Sequence, residues 1–358
     1  MLDVIRDEID THRKRFARRL HIGVFKLGGH GDFMQQLAFA RAARRRWPRR
    51  EATITLVSKF DKSGANDAML HGCRFVDSCI QVPPADWRML VQDLAPAFDI
   101  FYDVQYVVGT YFRSMRRFAA EQAAANARLA RYAADYSRFP WANAHLAETG
   151  QSQWDMLARS SGLDVCEDDL FIQPEAEEGQ ASGDEGRGRC ESAPRTIREP
   201  YITLHNGAGG QAVAKCLPVP TMDAIAQAVR QAGLVPVQVG TSREKAICEC
   251  VDRRDLPINA TAAVIAGARR HIDVEGGLVY VARAVGTRSV VFFGPTPVAT
   301  FGFKDNVNVC LERCRPCWWS RPGWERRCAK GHAFCRNLPD APQAVDIVLN
   351  ALKQENPQ

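Results

Sequence analysis

No stretch of the chain holds about 18 consecutive apolar residues, the length a bilayer-spanning helix needs, so a membrane span is excluded. The opening residues Met1-Leu2-Asp3-Val4-Ile5-Arg6-Asp7-Glu8 lack the basic-then-apolar order of a secretory leader, and the expected location is the cytoplasm. Gly-x-Gly-x-x-Gly is also missing. The early loop reads Gly28-Gly29-His30-Gly31, and no acidic residue closes a second strand where a dinucleotide ribose needs one. That weighs against a two-domain nicotinamide or flavin oxidoreductase. No short-period repeat occurs. Basic residues are not interleaved with aromatics, so nucleic acid is not an expected partner.

What is present is a long, apolar-rich, arginine-rich chain. Its 358 residues exceed one ordinary core, and 46% apolar content can fill two. The net charge of +6 gathers in Arg13-Lys14-Arg15 with Arg18-Arg19, and in Arg44-Arg45-Arg46 with Arg49-Arg50. Two readings stay open: attraction to anionic lipid headgroups or an acidic acceptor, or a solvated helix face.

Cysteine is abundant, with twelve in the chain. Cys314-x2-Cys317-x10-Cys328-x6-Cys335 forms one cluster, and in a reducing compartment such a cluster means metal more often than disulfides. Four thiolates suit zinc or iron and leave no open position, so the expected role is structural. Trp318, Trp319 and Trp324 would shield such a site, and His332 is a substitute ligand. Free buried thiols are the alternative. Pro322-Gly323 breaks the helix that a nucleic-acid-binding finger would need. Cys73, Cys79, Cys166, Cys190, Cys216, Cys248 and Cys250 are dispersed and read as small buried side chains. Cys310 is either a strand residue or a spare ligand.

Apolar patterning predicts strands at 22–25 and 53–57, weaker ones at 75–82 and 100–104, and a helix from Phe33 to Arg46. A long surface helix is predicted over 111–136 and another helix over 154–161. The polar, glycine-rich stretch 175–199 is predicted to be a flexible linker. The same grammar then restarts: a strand at 201–204, a glycine-rich loop from His205 to Gly210, a helix at 220–232, and strands at 234–239 and 289–292. A final helix spans 343–352. Strands alternating with helices imply α/β halves with parallel sheets. The expected domains are 1–174 and 200–358, the second carrying a Cys-rich finger at 310–336.

Several residues stand where a crevice forms at strand ends. Asp32 opens a helix after a buried strand, either as a general base or as a helix cap. Asn206, Gly207, Gly209 and Gly210 form a loop that lets backbone approach a ligand. Glu275-Gly276-Gly277 opens a helix whose N-terminus can receive a diphosphate. Lys215 is a candidate cation or a surface lysine. Glu244 is a candidate ribose ligand or an exposed helix-start charge.

Taken in order, the strand-Gly-Asp-helix start, the glycine-rich loop with Lys215 ahead of Pro218, Glu275-Gly-Gly-Leu, and Phe293-Gly294-Pro295-Thr296 resemble glycosyltransferase family 9, the ADP-heptose heptosyltransferase family. The likeness covers residues 20–60 and 200–340, and the cysteine spacing is similar to the branch with a four-Cys metal finger. The resemblance implies an α/β GT-B fold, two Rossmann-like domains facing across a cleft. The N-terminal domain would bind the acceptor and the C-terminal domain the donor. The implied activity is inverting transfer of a heptose from ADP-heptose to a cell-surface glycan such as lipopolysaccharide core. A protein serine acceptor and a non-catalytic member are the alternatives. Asp32 would be the base, Lys215 and Gly276-Gly277 would meet the diphosphate, Glu244 the ribose and Glu275 the sugar hydroxyls. No donor-site metal is expected. The implied partners are the nucleotide sugar, a glycan or protein acceptor, and a peripheral contact with the inner membrane. The chain departs from the family at Tyr280, which stands where His is usual, and in a shorter segment between Gly240 and Glu275. Both departures bear on donor affinity and identity.

Overall fold

The computed structural model describes residues 2–15, 18–83, 87–114, 116–132, 149–175, 197–208, 213–328 and 330–354. The predicted linker lies outside them except for Glu175 and 197–199. Gly209, Gly210, Cys190 and the end of the predicted 111–136 helix lie outside them as well.

The first half opens with α1 (Leu2–Arg15), β1 (Leu20–Lys26), α2 (His30–Arg46), β2 (Ala52–Lys59), α3 (Ala65–Leu70) and β3 (Ser78–Val82). It continues through α4 (Trp87–Leu94), β4 (Ile100–Val104), β5 (Val108–Phe112), α5 (Ala119–Ala130) and α6 (Gln153–Ser161). The sheet order is β3-β2-β1-β4-β5, parallel except for β5. Residues 20–26 are buried along their whole length, as a central parallel strand requires.

The helix expected from Tyr111 is corrected here. Val108–Phe112 returns antiparallel against β4, and the helix begins only at Ala119. Val108, Thr110 and Phe112 carry the β-branched and aromatic side chains that suit an edge strand, whereas the Ala-rich run starts later.

The second half comprises β6 (Tyr201–Leu204), α7 (Val219–Gln231), β7 (Val235–Gly240), β8 (Val251–Arg254), α8 (Ile258–Ala266) and β9 (His271–Val274). Then come α9 (Gly277–Ala284), β10 (Ser289–Phe292), α10 (Val298–Phe301), β11 (Val307–Val309) and α11 (Ala341–Lys353). Its order, β11-β10-β9-β6-β7-β8, is parallel throughout and is the doubly wound dinucleotide-fold order read from one edge. The short segment after Gly240 still contains a complete strand and helix, β8 and α8.

One apolar core runs between the halves. Phe33, Met34 and Leu37 of α2 share it with Val279, Tyr280 and Val281 of α9, and with Phe303 and Trp318. The arginines of the second basic cluster act as pins. Arg44 bonds Asp77 and the Phe75 and Ala52 carbonyls, Arg49 reaches Asp77, and Arg45 bonds Asp169. Of the dispersed cysteines described, Cys166 and Cys248 are exposed and Cys73, Cys79, Cys216 and Cys250 are half-buried, which corrects their reading as buried side chains.

Candidate functional site

Each sheet has a switch point where strand order reverses, and ligands of open α/β folds bind outside the strand ends there. In the first sheet this lies between β1 and β4, in the second between β6 and β9. The two face each other. A carbon built on Gly31, in the first turn of α2, would lie 3.5 Å from the Gly277 Cα and from the Tyr280 ring. The N-termini of α2 and α9 therefore meet across the cleft.

On the first side, Gly29 is the N-cap of α2, and Asp32 sits at the third helical position. Its carboxylate accepts the Gly29 N–H at 3.0 Å, so capping is met by reaching back while the side chain stays 34% exposed. Capping and a role in the cleft are thus compatible. Lys26, at the end of β1, points its ammonium at Asp32 from 3.4 Å and donates to the Val104 carbonyl at 3.3 Å. It is buried, and that burial depresses its pKa against the pull of Asp32 and Asp103. The Tyr106 ring lies 5.1 Å from the same ammonium. Burial, then the charges of Asp32 and Glu275, hold the Tyr106 hydroxyl well above its usual range. Sequence reasoning missed Lys26 and Tyr106. The signal for Lys26 was a charged residue ending an otherwise apolar strand.

On the second side, Lys215 closes a short turn, Val213–Lys215, and pairs with Glu275 at 2.5 Å, both largely buried. Its ammonium also lies 5.7 Å from the Trp324 ring. The Asn206 amide is spent on bracing: it donates to the Leu217 carbonyl and accepts the Leu217 N–H, each at 2.9 Å, which fixes the loop carrying Lys215. Gly276 caps α9 and leaves its first N–H groups uncovered by any side chain.

His205, following β6, is buried between two carboxylates. Nδ1 lies 2.8 Å from Asp273 and Nε2 3.3 Å from Glu244. Burial alone would lower its pKa, but Asp273 and then Glu244 prevail and raise it to about 10. Gly207 and Gly240 flank Glu244. A carbon on either would come within 2.5 Å of its carboxylate, and Gly240 has φ +116°.

Tyr280 is buried edge-on against Phe303, and its hydroxyl donates to Gln153 Oε1 at 2.8 Å. Gln35 Nε2 donates to the same oxygen at 2.7 Å, which ties α9 to α6 and α2. The hydroxyl proton is therefore placed at the seam between the halves. Burial, followed by the charge of Glu275, pushes its pKa well up.

The Cys-rich segment joins the turn that carries Lys215. Ala214 N–H donates to the Glu325 carbonyl at 2.9 Å, and the Cys317 and Trp318 N–H groups reach the Pro295 carbonyl. Trp318 packs edge-on against Tyr106 at 4.9 Å. Cys317, Cys328 and Cys335 line one pocket with His332 and Trp324. Lys330 N–H donates to the Cys328 sulfur at 3.4 Å, and Lys330 Nζ lies 3.8 Å from the Cys314 sulfur. Among the described residues no three His, Cys, Asp or Glu side chains stand in ion-holding geometry. The four thiols do share one neighbourhood, where Cys314, Cys317 and Cys328 each act on Cys335. Four thiols are the donor set that suits a soft metal such as zinc or iron.

Two Rossmann-like halves with their switch points facing define the GT-B architecture. No family model and no curated protein matches the chain in sequence. Among solved structures it is similar to a glycosyl transferase family 9 protein from Veillonella parvula, with TM-score 0.57, 14% identity, and 94% of this chain and 98% of that one covered. It is similar to the E. coli ADP-heptose lipopolysaccharide heptosyltransferase II, with TM-score 0.53, 16% identity and coverages of 94% and 99%. It is also similar to the iron-containing dodecameric glycosyltransferase TibC of enterotoxigenic E. coli, with TM-score 0.56, 15% identity and coverages of 94% and 76%. The chain shares the fold of these three solved structures.

Proposed function

We propose that the chain is an inverting glycosyltransferase that moves a heptose from ADP-heptose to a cell-surface glycan such as lipopolysaccharide core. The observation that carries this reading is the approach of the first turn of α2, which holds Asp32, to the start of α9 at Gly277, next to the Lys215–Glu275 pair, with Tyr106 feeling the charges of both Asp32 and Glu275. The acceptor hydroxyl gives its proton to Asp32 as its oxygen bonds to the anomeric carbon. The bond from that carbon to the diphosphate oxygen breaks, and ADP leaves with the electron pair. Lys215 and the start of α9 stabilise the departing charge. In this reading Lys215 exchanges the Glu275 carboxylate for phosphate, which frees Glu275 for sugar hydroxyls. Asn206 and Gly207 shape the loop beneath the donor, Glu244 takes the ribose, and Tyr280 walls the crevice. No metal takes part in transfer. The four finger thiols hold a structural zinc or iron ion. Transfer takes place on the cytoplasmic side of the inner membrane, where the acceptor brings the enzyme into peripheral contact. No helix among the described residues is long and apolar enough to cross that membrane.

One observation favours a second reading, a non-catalytic member. The Tyr280 hydroxyl is tied to Gln153 instead of facing the diphosphate, and the neighbouring cation Lys215 is already paired. Calorimetric titration with ADP, UDP, GDP and CDP, followed by an ADP-release assay with ADP-heptose, separates the two. Selective ADP binding with release supports the transferase. Binding without release in the presence of acceptor extracts supports the second reading, and preference for another nucleotide changes the donor.

A further inference from the structure

The charged cluster behind Gly207 is more elaborate than a single ligand-binding carboxylate needs. Asp273 lies inside a fully buried strand, 0% exposed at its side chain, and bonds both His205 and His271. His271 is fixed in turn by Thr203 at 2.9 Å. His205 carries that fixed geometry to Glu244. One carboxylate oxygen of Glu244, Oε1, faces His205 Nε2 at 3.3 Å and the Thr241 N–H and hydroxyl at 3.4 Å. The other, Oε2, is buried and has no hydrogen-bond partner. A buried acceptor without a partner costs free energy, so its occurrence in a glycine-lined notch at a switch point marks a place for an incoming donor group.

Resting on the donor-site reading above, we propose that His205, anchored by Asp273, is a positioning residue that locks Glu244 so that its free oxygen meets the vicinal hydroxyls of the donor nucleoside. An imidazole between two carboxylates is held as a cation that donates from both nitrogens, which fixes the Glu244 rotamer before the ligand arrives. The charged groups facing it are Asp273 on β9, itself bonded to His271, and Glu244 after β7; Cys216, before α7, lies within reach of both carboxylates and of Lys215. The Cys216 thiol is pushed up to about 11 by burial and by the charges of Asp273 and Glu244, so it stays neutral beside the cluster. Glu244 alone, on a loop with a 21% exposed side chain, would sample several rotamers and lose affinity to the ordering cost.

The test is calorimetric titration of the full chain with ADP and with 2′,3′-dideoxy-ADP. Wild type should prefer ADP by about tenfold or more, the worth of hydrogen bonds to a carboxylate. His205→Asn should weaken ADP about tenfold, leave the dideoxy form unchanged, and so erase the preference. Adding Glu244→Gln to it should cost nothing further. Asp273→Asn keeps the imidazole in place and guards against a folding defect in His205→Asn; it too should shrink the preference. Wild-type preference retained in both His205→Asn and Asp273→Asn overturns the positioning role alone. Wild type that binds both nucleotides equally removes the Glu244 contact as well, while leaving the donor site standing. Wild type that binds neither overturns the donor site itself.

Discussion

The two switch points handle buried charge in opposite ways. On the first side a single buried ammonium, Lys26, faces Asp32 from 3.4 Å, and the carboxylate keeps about a third of its surface open. On the second side charge is closed up: Lys215 with Glu275, and Asp273 with His205 and Glu244, are all mostly buried. A carboxylate that keeps part of its surface open can be approached from the cleft. A locked network is suited to gripping a ligand in one orientation. On the proposed function, the first half would carry the chemistry and the second the binding.

The largest expected effect breaks that comparison on the first side. Asp32→Asn should lower transfer by about a thousandfold, the usual worth of a general base, with ADP affinity changed less than about twofold. ADP release and calorimetry read the two numbers, and loss of both together would move Asp32 to the binding side.

The second half makes a pH-dependent prediction. The folded pKa of His205 is raised to about 10 from the ordinary 6.5. Its contribution to stability is therefore complete below 6.5, declines as the pH climbs, and is gone above about 10. Denaturant unfolding should show wild type losing stability between pH 7 and 10 relative to His205→Asn. Parallel curves would mean the imidazole is not charged in the native state.

Cys317→Ser sharpens the link between the Cys-rich segment and the Lys215 turn. Metal content and thermal stability should fall together, and ADP affinity should weaken because Trp324 and Glu325 brace the Lys215 turn. Stoichiometric metal in the variant would mean the ligand set is drawn wrongly. The smallest effect is expected at the seam. Tyr280→Phe removes one neutral hydrogen bond to Gln153 and should cost about 1 kcal/mol, or about 2–4 °C of melting temperature in a domain this size. A large loss of ADP affinity in that variant would place its hydroxyl on the donor instead.

Much of the fold was legible in the sequence because buried parallel strands and their following helices carry unbroken apolar patterns. Residues 22–25, 201–204 and 289–292 announced strands, and all three pair in parallel with their neighbours. The edge hairpin at Val108–Phe112 was not legible, since a short half-exposed strand beside an Ala-rich run has no strong periodicity. Asp32 and the Gly276-Gly277 turn could be named in advance because helix starts and glycine turns are local features. Lys26 and Asp273 could not, because a charge inside a strand reveals its purpose only through a partner far away in sequence.

The amino-acid order by itself determined two α/β halves, the strand-end loops that carry the candidate groups, and the clustered thiols. These depend on patterns that are local in the sequence. Tertiary structure alone decided which charges meet: Lys26 with Asp32, Lys215 with Glu275 across 60 positions, and His205 with Asp273 across 68. It also placed Tyr280 on Gln153 of the other half. The reason is physical. Secondary structure follows from local sterics and apolar periodicity, whereas ion pairing follows from the order of strands in a sheet and the approach of one sheet to the other.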